Sequence, residues 1–238
     1  MIYSKKKILA IIPARIGSKG LKKKNLKKIG EKNLVEHSII AAKNSKQISR
    51  IAISTDSLKI KKIALKENVW CEKLRPKKYA TDKSTTYNAI KFVLDNINYE
   101  PDLIIEIHPT YVFRKSKTID LAIKKLLNDK KSDSLISVQK IEDTSHSDFE
   151  IDLINNYIKY KKSPISFNRH LLKKKYKSLG YILISKLSSF IKKKSMIGNN
   201  CIGYVMKNNE EIIDINNQLD FQLATIVYLS NQKKVKKT

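Results

Sequence analysis

The sequence predicts one α/β domain, a mostly parallel sheet with helices on both faces, and three observations carry this. From residue 8 to about residue 140, short apolar runs alternate with amphipathic helical stretches, the pattern of βα units joined by right-handed crossovers. The first run, Ile8 to Ile12, is too short for a helix, is apolar at every position and stops at Pro13, as a strand buried on both faces does. The length, 238 residues, suits one large domain, or a domain with one sizeable insertion, and can bury a full core.

The loop after the first strand sets the chemistry. Ala14 to Asn25 holds Gly17, Gly20, Arg15, Ser18 and lysines 19, 22, 23 and 24, and no acidic residue. Glycines bring bare N–H groups close to a ligand, Arg15 offers a planar fork and the lysines offer point charges, so the loop reads as a cradle for phosphate. Neither GxxxxGK[ST] nor GxGxxG is present, so the chain earns neither an ATPase nor a dinucleotide-binding label. Local chemistry alone does not separate this cradle from a Lys-rich surface turn.

The remaining elements come in order. Asn33 with Glu36 forms a capping-box pattern before a short helix carrying Leu34, Ile39, Ile40 and Ala41. Ile51 to Ser54 is the next buried strand. It opens on Thr55 and Asp56, and Asp56 is read as the cap of a helix from Leu58 to Asn68 rather than as a catalytic group. A short strand, Val69 to Glu72, precedes Arg75-Pro76. Asp82 or Ser84 then caps a helix with the stripe Ile90, Val93, Leu94 and Ile97. Leu103 to Ile107 is a central strand, broken only by Glu106, and runs into His108, Pro109, Thr110 and Arg114. A helix at Thr118 to Leu127 and a strand at Ser134 to Val138 close the alternation. From Gln139 to Ser178 the pattern fails, and the segment reads as an insertion or an arm that a partner surface would order. Strands at Gly180 to Ile184 and Ile202 to Met206, a helix at Leu187 to Ile191, the polar motif Ile213 to Asn216 and a helix from Leu219 to Leu229 complete the chain. In such a sheet ligands sit past the carboxyl ends of the strands, where the cradle, Asp56, Arg75, His108 and Arg114 all fall.

Composition narrows the partners. The net charge of +27 raises nucleic acid or an acidic membrane. However, only five of the 49 basic residues are Arg, and the lysines are spread over the whole chain, so the surplus is not a binding stripe. Only Tyr176 interrupts a basic run with an aromatic ring, so nucleic-acid binding is not expected. Where lysine supplies nearly all positive charge, the few arginines mark places that need a rigid fork, and Arg15, Arg75, Arg114 and Arg169 lie in or beside the suspected loops. Cys71 and Cys201 lack CxxC spacing, which with the absence of a long apolar stretch predicts a soluble, cytoplasmic protein without disulfides or structural zinc.

On these residues the chain resembles the acylneuraminate (nonulosonate) cytidylyltransferases. The opening IIPARIGSKGLKKKN is the most specific match. STD at Ser54 to Asp56, Arg75-Pro76, TDKST at Thr81 to Thr85, Pro109-Thr110 with Arg114, Gly180, and the run Asp214 to Asp220 come after it in order. The resemblance implies a Rossmann-like three-layer sandwich of the nucleotide-diphospho-sugar transferase type, spanning 1–238. In it CTP and a nine-carbon 2-keto sugar acid (sialic, legionaminic or pseudaminic type) give a CMP-sugar and pyrophosphate, with Mg²⁺ or Mn²⁺. It further implies that Arg15, Lys24 and Asn25 hold the triphosphate, that Ala14, Gly17 and Ser18 also bind the nucleotide, and that Arg75, Ser84 and Thr86 place the cytidine. His108, Thr110, Arg114 and Arg169 would face the acidic sugar. Asp214 and Asn216 would hold the metal, Arg15, Lys24 and Asp214 would carry the catalysis, and residues 139–178 would form a homodimer contact.

Three positions depart from the family pattern. Asn216 stands where a second aspartate is usual, His108 where glutamine precedes Pro-Thr, and Leu179 where asparagine precedes glycine. All three lie on the metal and sugar side. They leave open a different nonulosonate or a catalytically weak or inactive CTP-binding relative. The related Kdo cytidylyltransferases, with a different loop, are the further alternative.

Overall fold

The computed structural model describes residues 6–141, 151–154, 157–160 and 175–235. The strands are β1 (Ile8–Pro13), β2 (Lys28–Ile29), β3 (Lys32–Asn33), β4 (Arg50–Ser54), β5 (Leu103–Glu106), β6 (Ser134–Ile141), β7 (Ile151–Ile154), β8 (Tyr157–Tyr160), β9 (Lys175–Lys186) and β10 (Cys201–Val205). The helices are α1 (Leu34–Lys43), α2 (Leu58–Lys66), α3 (Thr86–Leu94), α4 (Ser116–Asn128), α5 (Leu187–Lys193) and α6 (Gln218–Val235).

Six strands form the main sheet in the order β10-β6-β9-β5-β1-β4, while β2–β3 and β7–β8 are separate two-stranded pairs. β1 pairs in parallel with β4 and β5, and β10 in parallel with β6. β9 runs antiparallel to both of its neighbours, β5 and β6, which makes the sheet mixed. The continuous apolar run of β1 is explained by its two buried faces. Ile8, Ala10 and Ile12 enter a cluster with Val35 and Ile39 of α1, Ile60 of α2 and Ile119 and Ile123 of α4. Leu9 and Ile11 enter another with Ile90 and Val93 of α3 and Phe190 of α5. The result is the expected three-layer α/β sandwich. A third cluster joins Leu21 in the loop after β1, Ile29 of β2, Ile215 of the polar motif and Ala224 of α6.

Several local expectations are corrected. Asn33 does close a capping box, accepting from Glu36 N at 3.0 Å while Glu36 Oε2 accepts from Asn33 N at 2.8 Å. Helix α2, however, is capped by Ser57, and Asp56 is used elsewhere. The N-cap of α3 is Thr85, without a side-chain cap, so neither Asp82 nor Ser84 serves there. Val69 to Glu72 yields only a bridge between Trp70 and Ala52, because Trp70 alone completes bonds to Ile51 and Ile53. The edges of the 139–178 segment belong to the main sheet, with Gln139 opposite Lys177 and Ile141 opposite Lys175. Ile151–Ile154 is a strand paired with β8. The dimer contact expected of the segment, and Arg169, lie outside the described residues.

The register of β9 breaks at Gly180. Ile136 of β6 faces Leu183, but the next residue, Ser137, faces Leu179, so residues 180–182 are looped out of the ladder. Such a bulge leaves backbone groups without ladder partners, and side chains supply them. Ser137 Oγ donates to Leu179 O at 2.9 Å and accepts from Ile182 N at 3.0 Å. Tyr181 O is taken by Arg114.

Candidate active site

The loop after β1 is held by its own backbone and by Asp56. Ala14, buried, donates its N–H to Ser54 O at 2.9 Å, and Ile16 N donates to Asp56 Oδ1 at 2.8 Å. Asn25, also buried, donates Nδ2 to Arg15 O at 2.8 Å and so ties the end of the loop to its start. Ser18 Oγ donates to Leu21 O and accepts from Lys24 N at 3.3 Å. Neither Gly17 nor Gly20 has positive φ; the left-handed residue of the loop is Lys23, at φ 53°. Gly20 is required by space instead, since a Cβ there would lie 2.3 Å from Asn216 O, while a Cβ at Gly17 would meet nothing within 4 Å.

Beside this loop, at the carboxyl ends of the strands, is a cavity of about 240 Å³ lined by Arg15, Arg75, Ser84, Thr86 and His108, among others. Helix α3 begins there, its first turn without a side-chain cap and with Thr85 and Thr86 in the cavity wall, so its partial positive charge lies beside the same space. Arg75 is buried and its Nε has no hydrogen-bond partner among the described residues. Burial holds its pKa below the usual arginine value, Asp56 opposing and Arg15 adding to the effect. Arg15 pairs with Asp82 at 2.5 Å, and Lys19 reaches the other oxygen of that carboxylate at 3.1 Å. Asp82 thus occupies the cations that the sequence assigned to phosphate. Its carboxyl is held below the usual range by hydrogen bonds from Arg15 and Lys19. Ser84 Oγ donates to Lys78 O at 2.9 Å. Two roomier hollows, of about 590 and 440 Å³, lie at the β4 edge and between α3 and α5, and neither is lined by the loop after β1.

A second group adjoins the loop. Lys24 Nζ lies 3.4 Å from Asn216 Oδ1, and Asn216 Nδ2 donates to Asp214 Oδ2 at 2.9 Å. Asp214 Oδ1 is buried with no hydrogen-bond partner among the described residues. Burial lowers the Lys24 pKa, while Asp214 and Asp220 raise it and Arg15 lowers it, which places one ammonium between two carboxylates and a guanidinium. Asp220 Oδ2 accepts from Asn216 N at 2.8 Å and Asn217 N at 3.1 Å, fixing the motif at the start of α6. Thr110 contributes its carbonyl, accepting from Ile215 N at 3.1 Å.

The structure therefore brings Arg15, Arg75, Ser84, Thr86 and His108 into one cavity, with Lys24, Asp214 and Asn216 beside the same loop. It does not bring Arg114 there. That side chain is buried, and burial lowers its pKa to about 10, with Tyr181 and Tyr111 opposing. It donates from Nε and Nη2 to Tyr181 O and from Nη1 to His108 O at 3.0 Å. Ala14 and Asn25 likewise shape the loop from within. Sequence reasoning missed Asp56 as the anchor of the loop, and missed Glu106 beneath His108; a lone charge inside an otherwise apolar strand was the available signal for Glu106.

Comparison with known proteins gives a consistent result. A family model described as cytidylyltransferase matches residues 9–234. An N-acylneuraminate cytidylyltransferase of Escherichia coli O18:K1:H7 is 32% identical over 96% of this chain, which spans 54% of that protein. A CMP-N,N′-diacetyllegionaminic acid synthase of Legionella pneumophila is 30% identical over 95% of this chain and 98% of its own length. Among solved structures, a CMP:2-keto-3-deoxy-manno-octonic acid synthetase complexed with CTP superimposes with TM-score 0.69 at 13% identity, over 94% of this chain and 99% of that one. A 4-diphosphocytidyl-2C-methyl-D-erythritol synthase gives 0.65 at 14% identity, over 93% and 98%. At such identities the structural likeness speaks for the fold.

Proposed function

Since the chain belongs to the cytidylyltransferase family, we propose that it joins CTP to a nine-carbon 2-keto sugar acid, giving a CMP-sugar and pyrophosphate. The observation that supports this most is the cavity at the strand ends. Two arginines and an uncapped helix N-terminus converge there beside a Lys24–Asn216–Asp214 chain, an arrangement for a polyanion with a neutral polar base attached. The E. coli relative is named for N-acylneuraminate and the Legionella relative for CMP-N,N′-diacetyllegionaminic acid, and the second matches this chain over nearly its full length.

In this reading Arg15, Lys24 and the backbone from Gly17 to Ser18 receive the triphosphate once Asp82 gives way, with Asn25 bracing the loop. Arg75, Ser84 and Thr86 hold the cytidine side. His108, Thr110 and Arg169 are assigned to the sugar, with Arg114 fixing the carbonyl of His108 from behind. The anomeric hydroxyl attacks the α-phosphorus as the bond to the β-phosphate oxygen breaks. Fixed cations neutralise the charge that builds on the phosphates, and the cradle sets nucleophile and leaving group in line.

The residues present fit a hard divalent cation, magnesium or manganese. The buried Asp214 Oδ1, without a hydrogen-bond partner among the described residues, and the Asn216 side-chain amide oxygen are one anionic and one neutral donor. Among the described residues no group of three His, Cys, Asp or Glu side chains could hold a metal alone, so the ion would share its ligands with substrate phosphates. Such an ion would supply Lewis-acid neutralisation of the pyrophosphate. We assign the chain to a single domain whose 139–178 segment meets a second copy, with no nucleic-acid or membrane partner and a cytoplasmic location. No helix among the described residues is long and apolar enough to cross a membrane.

The test is pyrophosphate release from CTP with a panel of nonulosonates and Kdo. Release that needs both a divalent cation and a nonulosonate is expected. Release with Kdo alone would move the chain to the alternative class. No release with any acid, CTP still binding, would favour a CTP-binding relative without turnover.

A further inference from the structure

We propose that Glu106 and His108 form a proton-accepting pair for the sugar hydroxyl, with His108 the catalytic base and Glu106 its positioning residue. The inference rests on the transfer reaction above and names the base that it needs.

Glu106 is the last residue of β5, 1% exposed, on a strand otherwise made of Leu103, Ile104 and Ile105. A carboxylate in such a place is costly unless it is paired. Glu106 Oε1 has no hydrogen bond among the described residues, yet it lies 2.9 Å from His108 Nε2. His108 follows two residues later, just past the end of β5, and its imidazole meets the buried oxygen. The ring is the exposed half of the pair, 30% accessible and in the cavity wall with Arg15, Arg75 and Thr86. Arg114 Nη1 donates to the His108 carbonyl at 3.0 Å and so fixes the backbone that carries the ring.

This is the division of labour that a histidine base requires: one nitrogen facing a buried carboxylate, the ring at the reaction space. The contact is close without being aligned as a hydrogen bond, and catalytic bonds of this kind tighten when substrate is bound. In the step, the anomeric hydroxyl oxygen forms its bond to the α-phosphorus and its proton passes to the free nitrogen of His108. The P–O bond to pyrophosphate breaks, the electron pair leaving on the pyrophosphate oxygen. The imidazolium so formed faces Glu106 and returns its proton to solvent after product release. Other charges bear on the ring: Arg15, Arg75, Tyr79 and Asp82 across the cavity, and Arg114 behind its carbonyl.

The experiment is the pH dependence of kcat for pyrophosphate release, from about pH 5 to about pH 9, with CTP, a divalent cation and N-acetylneuraminate or N,N′-diacetyllegionaminate. The unsubstituted protein is compared with His108→Gln, which keeps a polar side chain of similar reach, and with Glu106→Gln. The unsubstituted protein is expected to lose kcat on the acid side. His108→Gln is expected to lose about a hundredfold in kcat and the acid limb with it, while the KM for CTP stays within about twofold. Glu106→Gln is expected to keep an acid limb but move it. If no nonulosonate of the panel gives turnover with the unsubstituted protein, the proposed function falls and the base with it. If turnover is present and His108→Gln matches the parent in kcat and acid limb, the base alone is overturned. A loss in His108→Gln confined to the KM for the sugar also overturns it, since that marks a binding contact only.

Discussion

Arg114 and Tyr181 are joined through a single carbonyl. Nε and Nη2 of the arginine donate to Tyr181 O at 3.2 and 2.7 Å, and the guanidinium lies 4.8 Å from the centre of the tyrosine ring. The pair closes the bulge in β9 onto the end of β5, and its arginine is a structural element rather than a surface cation.

Arg114→Ala should therefore act on stability. It leaves the buried Tyr181 carbonyl without its arginine donors and the His108 carbonyl with only Ser38 Oγ at 3.5 Å, a loss of about 3 kcal/mol and roughly 6–12 °C in Tm. Arg114→Lys should recover little, because one ammonium cannot replace a planar fork. Thermal unfolding by circular dichroism is the check. An unchanged Tm with a raised KM for the sugar would return Arg114 to the substrate.

Arg15→Ala should do the reverse. The residue is partly exposed and its pairing with Asp82 is replaceable, so Tm should hold. The KM for CTP should rise by about tenfold to a hundredfold, the worth of one charge-assisted contact. Steady-state kinetics in CTP decide it, and unchanged kinetics would remove the loop from the nucleotide.

Asp56→Ala tests the anchor that the structure revealed. Losing the acceptor for Ile16 N should loosen the loop and raise the KM for CTP by about tenfold while α2, capped by Ser57, stays intact. A far-ultraviolet spectrum shows the second and kinetics the first. If helix content falls and the KM does not move, Asp56 is a cap after all.

Asn216→Asp should lower the Mg²⁺ concentration for half-maximal rate, because a second carboxylate binds a hard cation more tightly than an amide oxygen. A magnesium titration of pyrophosphate release reads this. An unmoved midpoint would place residue 216 away from the ion.

The amino end of β1 gives a pH-dependent stability. Lys6 and the Lys7 N–H bond to Asp102 and hold its carboxyl below the usual range. A folded pKa below the unfolded value stabilises above the unfolded pKa of about 3.9, and the gain is lost as pH falls through the folded value. Asp102→Ala should lower Tm by roughly 3 °C at neutral pH, and the difference should vanish in strong acid. A constant difference across pH would mean that the charge is not what matters.

How far the sequence could be read depends on how local each signal is. The strand Ile8 to Ile12 and the Asn33–Glu36 box were legible because neighbours in sequence decide them, and both recur in the structure. The reversal of β9 was not, since an antiparallel strand buried on two sides has the same composition as a parallel one. Arg114 shows the limit at the site. Its scarcity marked it correctly as a residue that needs a fork, but whether the fork meets a substrate or a bulged backbone depends on residues some 67 positions away. Asp56 was misread for the same reason, since its partner, Ile16, lies 40 positions earlier.

The looped-out residues 180–182 have one more consequence. Where a ladder is continuous, inserting or deleting a residue turns every side chain beyond it to the wrong face. Here Ser137 and Arg114 splice two lengths of β9 that already keep different registers. The outer length, Lys175 to Leu179, can therefore change by a residue while the inner one, Leu183 to Lys186, holds its place against β5. Variation in what lies beyond the outer end is insulated from the floor of the cleft.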